Sequence, residues 1–133
     1  MHKEGRLWVV EVPILGAMTQ GKSRKEAYMM TADLVETLAG RPGFKVEVHP
    51  VGKTELELSV NDVRVLVALM LRRMREASGL TLAEAARRLG ARSRNAYARY
   101  EQGSSVPTIE QLNRLIAAVS PGRDFVIRQS LAP

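Results

Sequence analysis

Near residue 61 the spacing of apolar residues changes from two to about 3.6, and no other feature limits the possible folds as much. Before that point Phe44, Val46 and Val48 alternate with Lys45, Glu47 and His49, and Leu56, Leu58 and Val60 alternate with Glu55, Glu57 and Ser59. Each stretch has one greasy and one wet face, as half-buried strands do. Val51, Gly52 and Lys53 between them are short enough for a hairpin. Upstream, Leu7 to Val12 is a β-prone run stopped by Pro13, and residues 14–22 form a connection bounded by glycine. Ser23 and Glu26 then open a helix as a capping box, with Ala27, Met30, Leu34 and Leu38 at helical spacing and Gly40 and Pro42 ending it. The first half reads as a small sheet with one helix laid across it.

After Ser59 the pattern stays helical. Leu66, Leu69, Met70, Met74 and Ala77 give an apolar stripe closed by Gly79. Thr81 and Glu84 start a short helix with Ala85, Ala86 and Leu89 inward, ended by Gly90. Ser93 caps a third helix, with Tyr97 and Tyr100 on one side, which Gly103 stops. Pro107 and Thr108 introduce a fourth, with Gln111 at the reciprocal capping position and Ile109, Leu112, Leu115 and Ile116 inward. The fold class is therefore α+β: a sheet-and-helix domain at residues 1–61, an all-α domain at 62–122, and a tail at 123–133.

Charge separates along the same boundary. The chain has 133 residues and a net charge of +6. Residues 1–62 carry 8 Lys or Arg against 9 Asp or Glu, whereas residues 63–133 carry 12 against 5, and all 12 are arginine. Arginine suits bidentate contacts to phosphate or guanine, although a solvated basic surface has the same composition. With no cysteine there is neither a disulfide framework nor a thiolate metal site. His2 and His49 have no second ligand at metal spacing, so neither a metal nor a cofactor is expected. The first residues lack a signal peptide's apolar core and no run approaches membrane-spanning length, so a soluble cytoplasmic protein is expected.

The helical spacing suggests a mechanism. A short helix held by a partner crossing it can enter the major groove and present its first residues to base edges. Ala83, Ala85 and Ala86 on the second helix allow a close approach, and Tyr97 and Tyr100, three apart, anchor the third helix to the core. Arg94, Asn95, Ala98 and Arg99 then project outward. Arg94 or Arg99 can grip guanine O6 and N7, and Asn95 can grip adenine N6 and N7. Arg92 and Ser93 at the helix entry are placed for phosphate, and Arg87 and Arg88 on the second helix are either phosphate contacts or solvated.

The run from Gly79 through Gly90, followed by Ser93, Tyr97, Tyr100-Glu101-Gln102-Gly103 and Pro107 to Leu112, resembles the Xre/Cro-type helix-turn-helix family. The resemblance implies base reading by Arg94, Asn95 and Arg99 and a structural ion pair between Arg75 and Glu101. Ala91 and Arg92 lengthen the turn by one residue, and Leu82 stands where a polar DNA contact is common.

The stretch from Arg94 to Gly103 also resembles the helix-turn-helix of HicB-type antitoxins. Val9 to Pro13, then Met18-Thr19-Gln20-Gly21, then Ser23 to Ala27 resemble that family's strand, Thr-Gln-Gly turn and Glu-Ala helix. This likeness implies a partial RNase H-like first domain without nuclease chemistry that covers a HicA-like mRNA-cleaving toxin, and a second domain that represses the chain's own operon. The other reading within the binding class is a stand-alone repressor whose first domain senses a small ligand. A nuclease is disfavoured on chemistry: Asp33 and Glu36 share a helix, but no third carboxylate is placed to complete a two-metal site, so no enzymatic activity is expected. Trp8 reads equally as sheet core or interface anchor. Phe125, Val126 and Ile127 form a β-prone segment that either pairs with its own copy or caps its own domain. The first option gives a homodimer or higher oligomer; a dimer sets the recognition helices about 34 Å apart and predicts an inverted-repeat operator.

Overall fold

The computed structural model of the chain describes residues 1–91 and 93–122. Strand β2 (Leu7–Val12) is the middle of a three-stranded antiparallel sheet, between β1 (His2–Glu4) and β3 (Ala17–Gly21). Two of these elements differ from the sequence expectation. Strand β1, three residues long, was not anticipated, and β3 occupies much of what read as a connection. The connection itself is a single 3-10 turn, Pro13–Leu15, closed by the Gly16 N–H donating to the Pro13 carbonyl. Ala17, Met18, Thr19, Gln20 and Gly21 have weak intrinsic strand preference, but β2 supplies a partner for each, from Val12↔Ala17 to Trp8↔Gly21. Tertiary pairing overrides local propensity here.

Helix α1 (Arg24–Ala39) begins where Ser23 Oγ accepts the Glu26 N–H at 3.1 Å. Glu26 reaches back one residue further than a capping box requires, and its Oε2 accepts the Lys22 N–H at 2.8 Å. The buried stripe is Ala27, Thr31 and Val35, one position away from the expected Met30 and Leu34; Met30 is exposed. Gly21 sets this rotation. A Cβ there would lie 2.4 Å from the Ala27 backbone nitrogen, so β3 and α1 touch backbone to backbone at Ala27. Thr31 tolerates the interior because its hydroxyl donates to the Ala27 carbonyl at 2.8 Å.

Strands β4 (Val46–Val51) and β5 (Glu55–Val60) form an antiparallel hairpin that is a separate two-stranded sheet, so the single sheet expected from the pattern is two. Helix α2 (Val63–Ala77) follows, with Asp62 Oδ1 accepting the Arg64 N–H at 3.0 Å. The Arg64 side chain also holds the Asp62 carboxyl below its ordinary pKa.

Helix α2 serves two cores. Leu69 lies in the first, with Val10, Leu15, Ala27, Val35 and Phe44, and Leu71 and Met74 lie in the second. The second core closes with Ala85 and Ala86 of α3 (Leu82–Leu89), Tyr97 of α4 (Arg94–Glu101), and Leu115, Ile116 and Val119 of α5 (Ile109–Val119). Arginines of α2 fasten it to the first half. Arg72 Nη2 donates to the Leu38 carbonyl at 2.7 Å, and Arg73 Nε donates to the Leu15 carbonyl at 2.7 Å. The α5 capping box forms as read, with Thr108 and Gln111 each accepting the other's N–H. Ile109, at the first position of the helix, is not buried as expected; it is 65% exposed.

Candidate nucleic-acid interface

Helix α4 is eight residues long, and its orientation depends on what lies beneath it. Tyr97 is fully buried in the second core, whereas Tyr100 is half-buried at its margin. Ala85 and Ala86 of α3 are buried and leave room for the close approach of α4. Ala83, also expected to contribute, is exposed. Ala98, expected outside, is buried, since it follows Tyr97 around the inward face. Arg94, Asn95, Ala96 and Arg99 remain exposed. The inward and outward sets are thus separated cleanly enough to present two guanidinium groups and a carboxamide from one short helix.

The end of α4 is bolted from behind. Arg75 Nε donates to both carboxylate oxygens of Glu101, at 3.1 and 3.0 Å, and its Nη1 donates to the Leu80 carbonyl at 2.9 Å. The side chains are 15% and 7% exposed, so this pair is largely withdrawn from water. Burial works against the Arg75 charge, but the Glu101 carboxylate outweighs it and the guanidinium pKa is raised. One residue therefore ties the last turn of α2, the entry to α3 and the last turn of α4. Burial, and then the Glu101 charge, push the neighbouring Tyr97 phenol pKa well upward. Tyr97 Oη is buried with no hydrogen-bond partner among the described residues.

The two ends of α4 contrast in their capping. At the start, Ser93 has extended backbone angles and stands at the cap position, but its side chain makes no cap hydrogen bond and is exposed. An exposed, unengaged hydroxyl at the start of a helix is suited to phosphate oxygens, as in protein–DNA complexes. At the other end Gly103 adopts a φ of +74°, and a Cβ there would meet Arg41 Nη2, the Arg64 carbonyl and Ala68 Cβ within 4 Å. Arg41 Nη2 also donates to the Gln102 carbonyl.

The remaining candidates fall into distinct settings. Arg87 is exposed on α3, and Arg88 turns toward α5, with Nη1 3.4 Å from the Ala118 carbonyl near that helix's negative end. Arg92 and the segment Phe125, Val126 and Ile127 lie outside the described residues. Among the described residues, the guanidinium groups of Arg87, Arg94, Arg99 and Arg114 make no hydrogen bond or ion pair within the chain, whereas those of Arg64, Arg72, Arg73, Arg75 and Arg88 have acceptors. Nothing in the sequence marks Arg41, Arg72 or Arg73 as fasteners. Their acceptors are backbone carbonyls far away along the chain, and a carbonyl carries no side-chain signature.

Residues 66–120, from α2 through α5, match the family described as a helix-turn-helix domain. The match supports a helix-turn-helix of the DNA-binding kind in this segment. No curated protein and no solved structure matches the chain. No helix among the described residues is long and apolar enough to cross a membrane.

Proposed function

We propose that the chain is a HicB-like antitoxin that binds an inverted-repeat operator as a homodimer, represses its own operon and holds a HicA-like mRNA-cleaving toxin with its first half. It acts by binding, in the cytoplasm, without catalysis. The observation that carries the DNA part is the outward presentation of Arg94, Asn95 and Arg99 on a helix whose Tyr97 is fully buried. Ser93 at the start of α4 and Arg87 on α3 are exposed and offer donors for flanking phosphates. The toxin part draws on Thr19, Gln20 and Gly21, which read as a turn in the sequence but form the end of strand β3, just ahead of α1. Gly21 is required there by the close approach of Ala27; a strand at Leu7–Val12 and a helix from Arg24 agree with the resemblance, whereas a strand stands where it implied a turn.

One observation favours the second reading, a repressor that senses a small ligand. A cleft of about 590 Å3 opens between the two sheets, with Val12, Ile14, Leu56, Leu58, Leu66 and Met70 among its walls. That volume is in the range of small-molecule sites, and Leu66 and Met70 belong to α2.

The DNA reading is tested by selecting duplexes from a random-sequence pool with the full chain. We expect enrichment of an inverted repeat whose half-sites are about one helical turn apart. Arg94→Ala and Asn95→Ala should each reduce binding to the selected duplex by roughly 1 to 3 kcal/mol and leave binding to scrambled duplex nearly unchanged. Selection that yields no sequence, or variants that bind it like wild type, would remove α4 from the interface. The toxin reading predicts a small partner that cleaves mRNA alone and is silenced by this chain. An apolar compound that shifts operator affinity in the absence of such a partner supports the sensor instead.

A further inference from the structure

The near-neutral total of the first half conceals a separation of charge that appears only in the fold. The start of β2 meets the ends of both its neighbours, with Trp8 opposite Lys3 of β1 and opposite Gly21 of β3. Helix α1 starts just beyond Gly21, and Arg24 Nη2 donates to the Lys53 carbonyl at 3.0 Å, which brings the β4–β5 turn to the same end. Six cations are gathered there: Lys3, Arg6, Lys22, Arg24, Lys25 and Lys53. Only three carboxylates accompany them: Glu4, Glu26 and Glu55. The rest of residues 1–62 has two cations against six carboxylates.

Glu4, Glu26 and Glu55 offset half of this charge and leave a local balance of +3. Glu4 is engaged by His2 Nε2 at 2.9 Å, and Glu26 accepts the Lys22 backbone N–H. Arg24 lies over the Trp8 ring at 4.3 Å and Lys3 at 5.9 Å, so two of the cations are held beside an aromatic face. Lys3, Arg6, Lys22, Lys25 and Lys53 are exposed. The positive end of the α1 dipole adds to the same field. Four of the chain's five lysines are here, whereas the basic residues of the second half are all arginine. Lysine is a mobile point charge, suited to phosphate without the planar geometry that reads a base.

We propose that this end is a second nucleic-acid contact, which grips duplex phosphates without regard to sequence. It relies on the helix-turn-helix reading only for the identity of the polyanion. A membrane surface fits less well, because interfacial binding needs apolar side chains among the cations, and the exposed large apolar residues lie elsewhere. Met18 is toward the opposite end of β3, and Met29 and Met30 are on the second turn of α1. The 16 residues of α1 separate the cations from the Arg41 contact with α4 by about 24 Å, roughly seven base pairs. The contact therefore falls on phosphates flanking the recognised bases, or on a second duplex segment, and contributes affinity without discrimination.

The test is a salt titration of the full chain on a mixed-sequence 30-base-pair duplex (roughly three helical turns), comparing wild type with a Lys22→Gln/Lys25→Gln/Lys53→Gln variant. We expect the variant to bind at least about tenfold more weakly at low salt, with the slope of log affinity against log salt shallower by about 2 to 3. Its thermal midpoint should be unchanged, since the three side chains are exposed. An unchanged slope and affinity overturns the proposal. So does a variant that loses only its attraction to phosphatidylserine vesicles. The Arg94→Ala/Asn95→Ala double variant separates the two readings: it should lose preference for the selected duplex while keeping the lysine-dependent part of the slope. If it keeps its preference while the lysine variant flattens the slope, the recognition helix is misassigned and this surface stands.

Discussion

The arginines of α2 and those of α4 are the same residue type, yet they do opposite work. Arg72, Arg73 and Arg75 spend their donors on carbonyls and a carboxylate of the chain itself, whereas Arg94 and Arg99 keep theirs free among the described residues. What separates them is the availability of an acceptor. Helix α2 lies between two cores and is surrounded by helix ends and turns whose carbonyls need donors. Helix α4 has a core on one side only, and among the described residues its far side meets nothing. A basic composition is therefore a poor measure of a nucleic-acid surface, because part of it is structural. In the other direction, the first half carries a local excess of cations that its total does not reveal.

The comparison is broken most strongly at Glu101. Replacing it with alanine leaves the Arg75 guanidinium largely buried and unpaired, which should cost about 3 to 5 kcal/mol of stability. Chemical denaturation of Glu101→Ala measures this directly, and a loss under about 1 kcal/mol would show that the pair is not what holds α4. Any loss of DNA binding in that variant should follow the unfolded fraction. In Arg94→Ala, by contrast, binding falls while the denaturation midpoint stays put.

Arg73 tests the link between the halves. Its Nε bond to the Leu15 carbonyl and a longer contact from Nη2 to the Gly16 carbonyl, at 3.4 Å, anchor α2 to the 3-10 turn. Arg73→Ala strands the Leu15 carbonyl and should cost about 1.5 to 2 kcal/mol, without changing the salt slope for duplex binding. A shallower slope with full stability would move Arg73 into the outward class.

How much of this was legible follows from what leaves a trace in a sequence. Caps and glycine stops are local, so Ser23, Thr81, Thr108 and Gln111 announced three helices, and Tyr97 with its flanking arginines announced the inward and outward faces of α4. Strand β3 left little trace, because its register is imposed by β2 rather than by Met18 or Thr19. The stripe on α1 was read one position off because Met30 is the more apolar residue. The contact at Gly21 selects Thr31 instead, whose hydroxyl is satisfied within the helix. Ala98 was misplaced for a similar reason, since a small residue beside a buried tyrosine is carried inward whatever its neighbours do. The cation cluster was invisible because its members are spread from Lys3 to Lys53 and meet only through the sheet register and the turn at Lys53.

The smallest expected effect sharpens the comparison at its inner edge. Tyr97 buries a hydroxyl with no partner among the described residues, beside an ion pair whose own geometry is satisfied. The ring, rather than the hydroxyl, then anchors α4, so Tyr97→Phe should be neutral or more stable by up to about 1 kcal/mol at neutral pH. The phenol's pKa is raised in the folded state above its ordinary 10.0, so the unfolded chain loses this proton first as pH rises. Wild type is therefore unaffected below pH 10.0 and progressively destabilised above it, as far as the folded-state pKa. Tyr97→Phe has no such proton to lose, so the variant should gain on wild type in alkaline solution as well as at neutrality. A variant clearly less stable at pH 7 would mean that the hydroxyl is bonded after all, and that Tyr97 belongs with Arg75 and Glu101 in one polar network beneath the recognition helix.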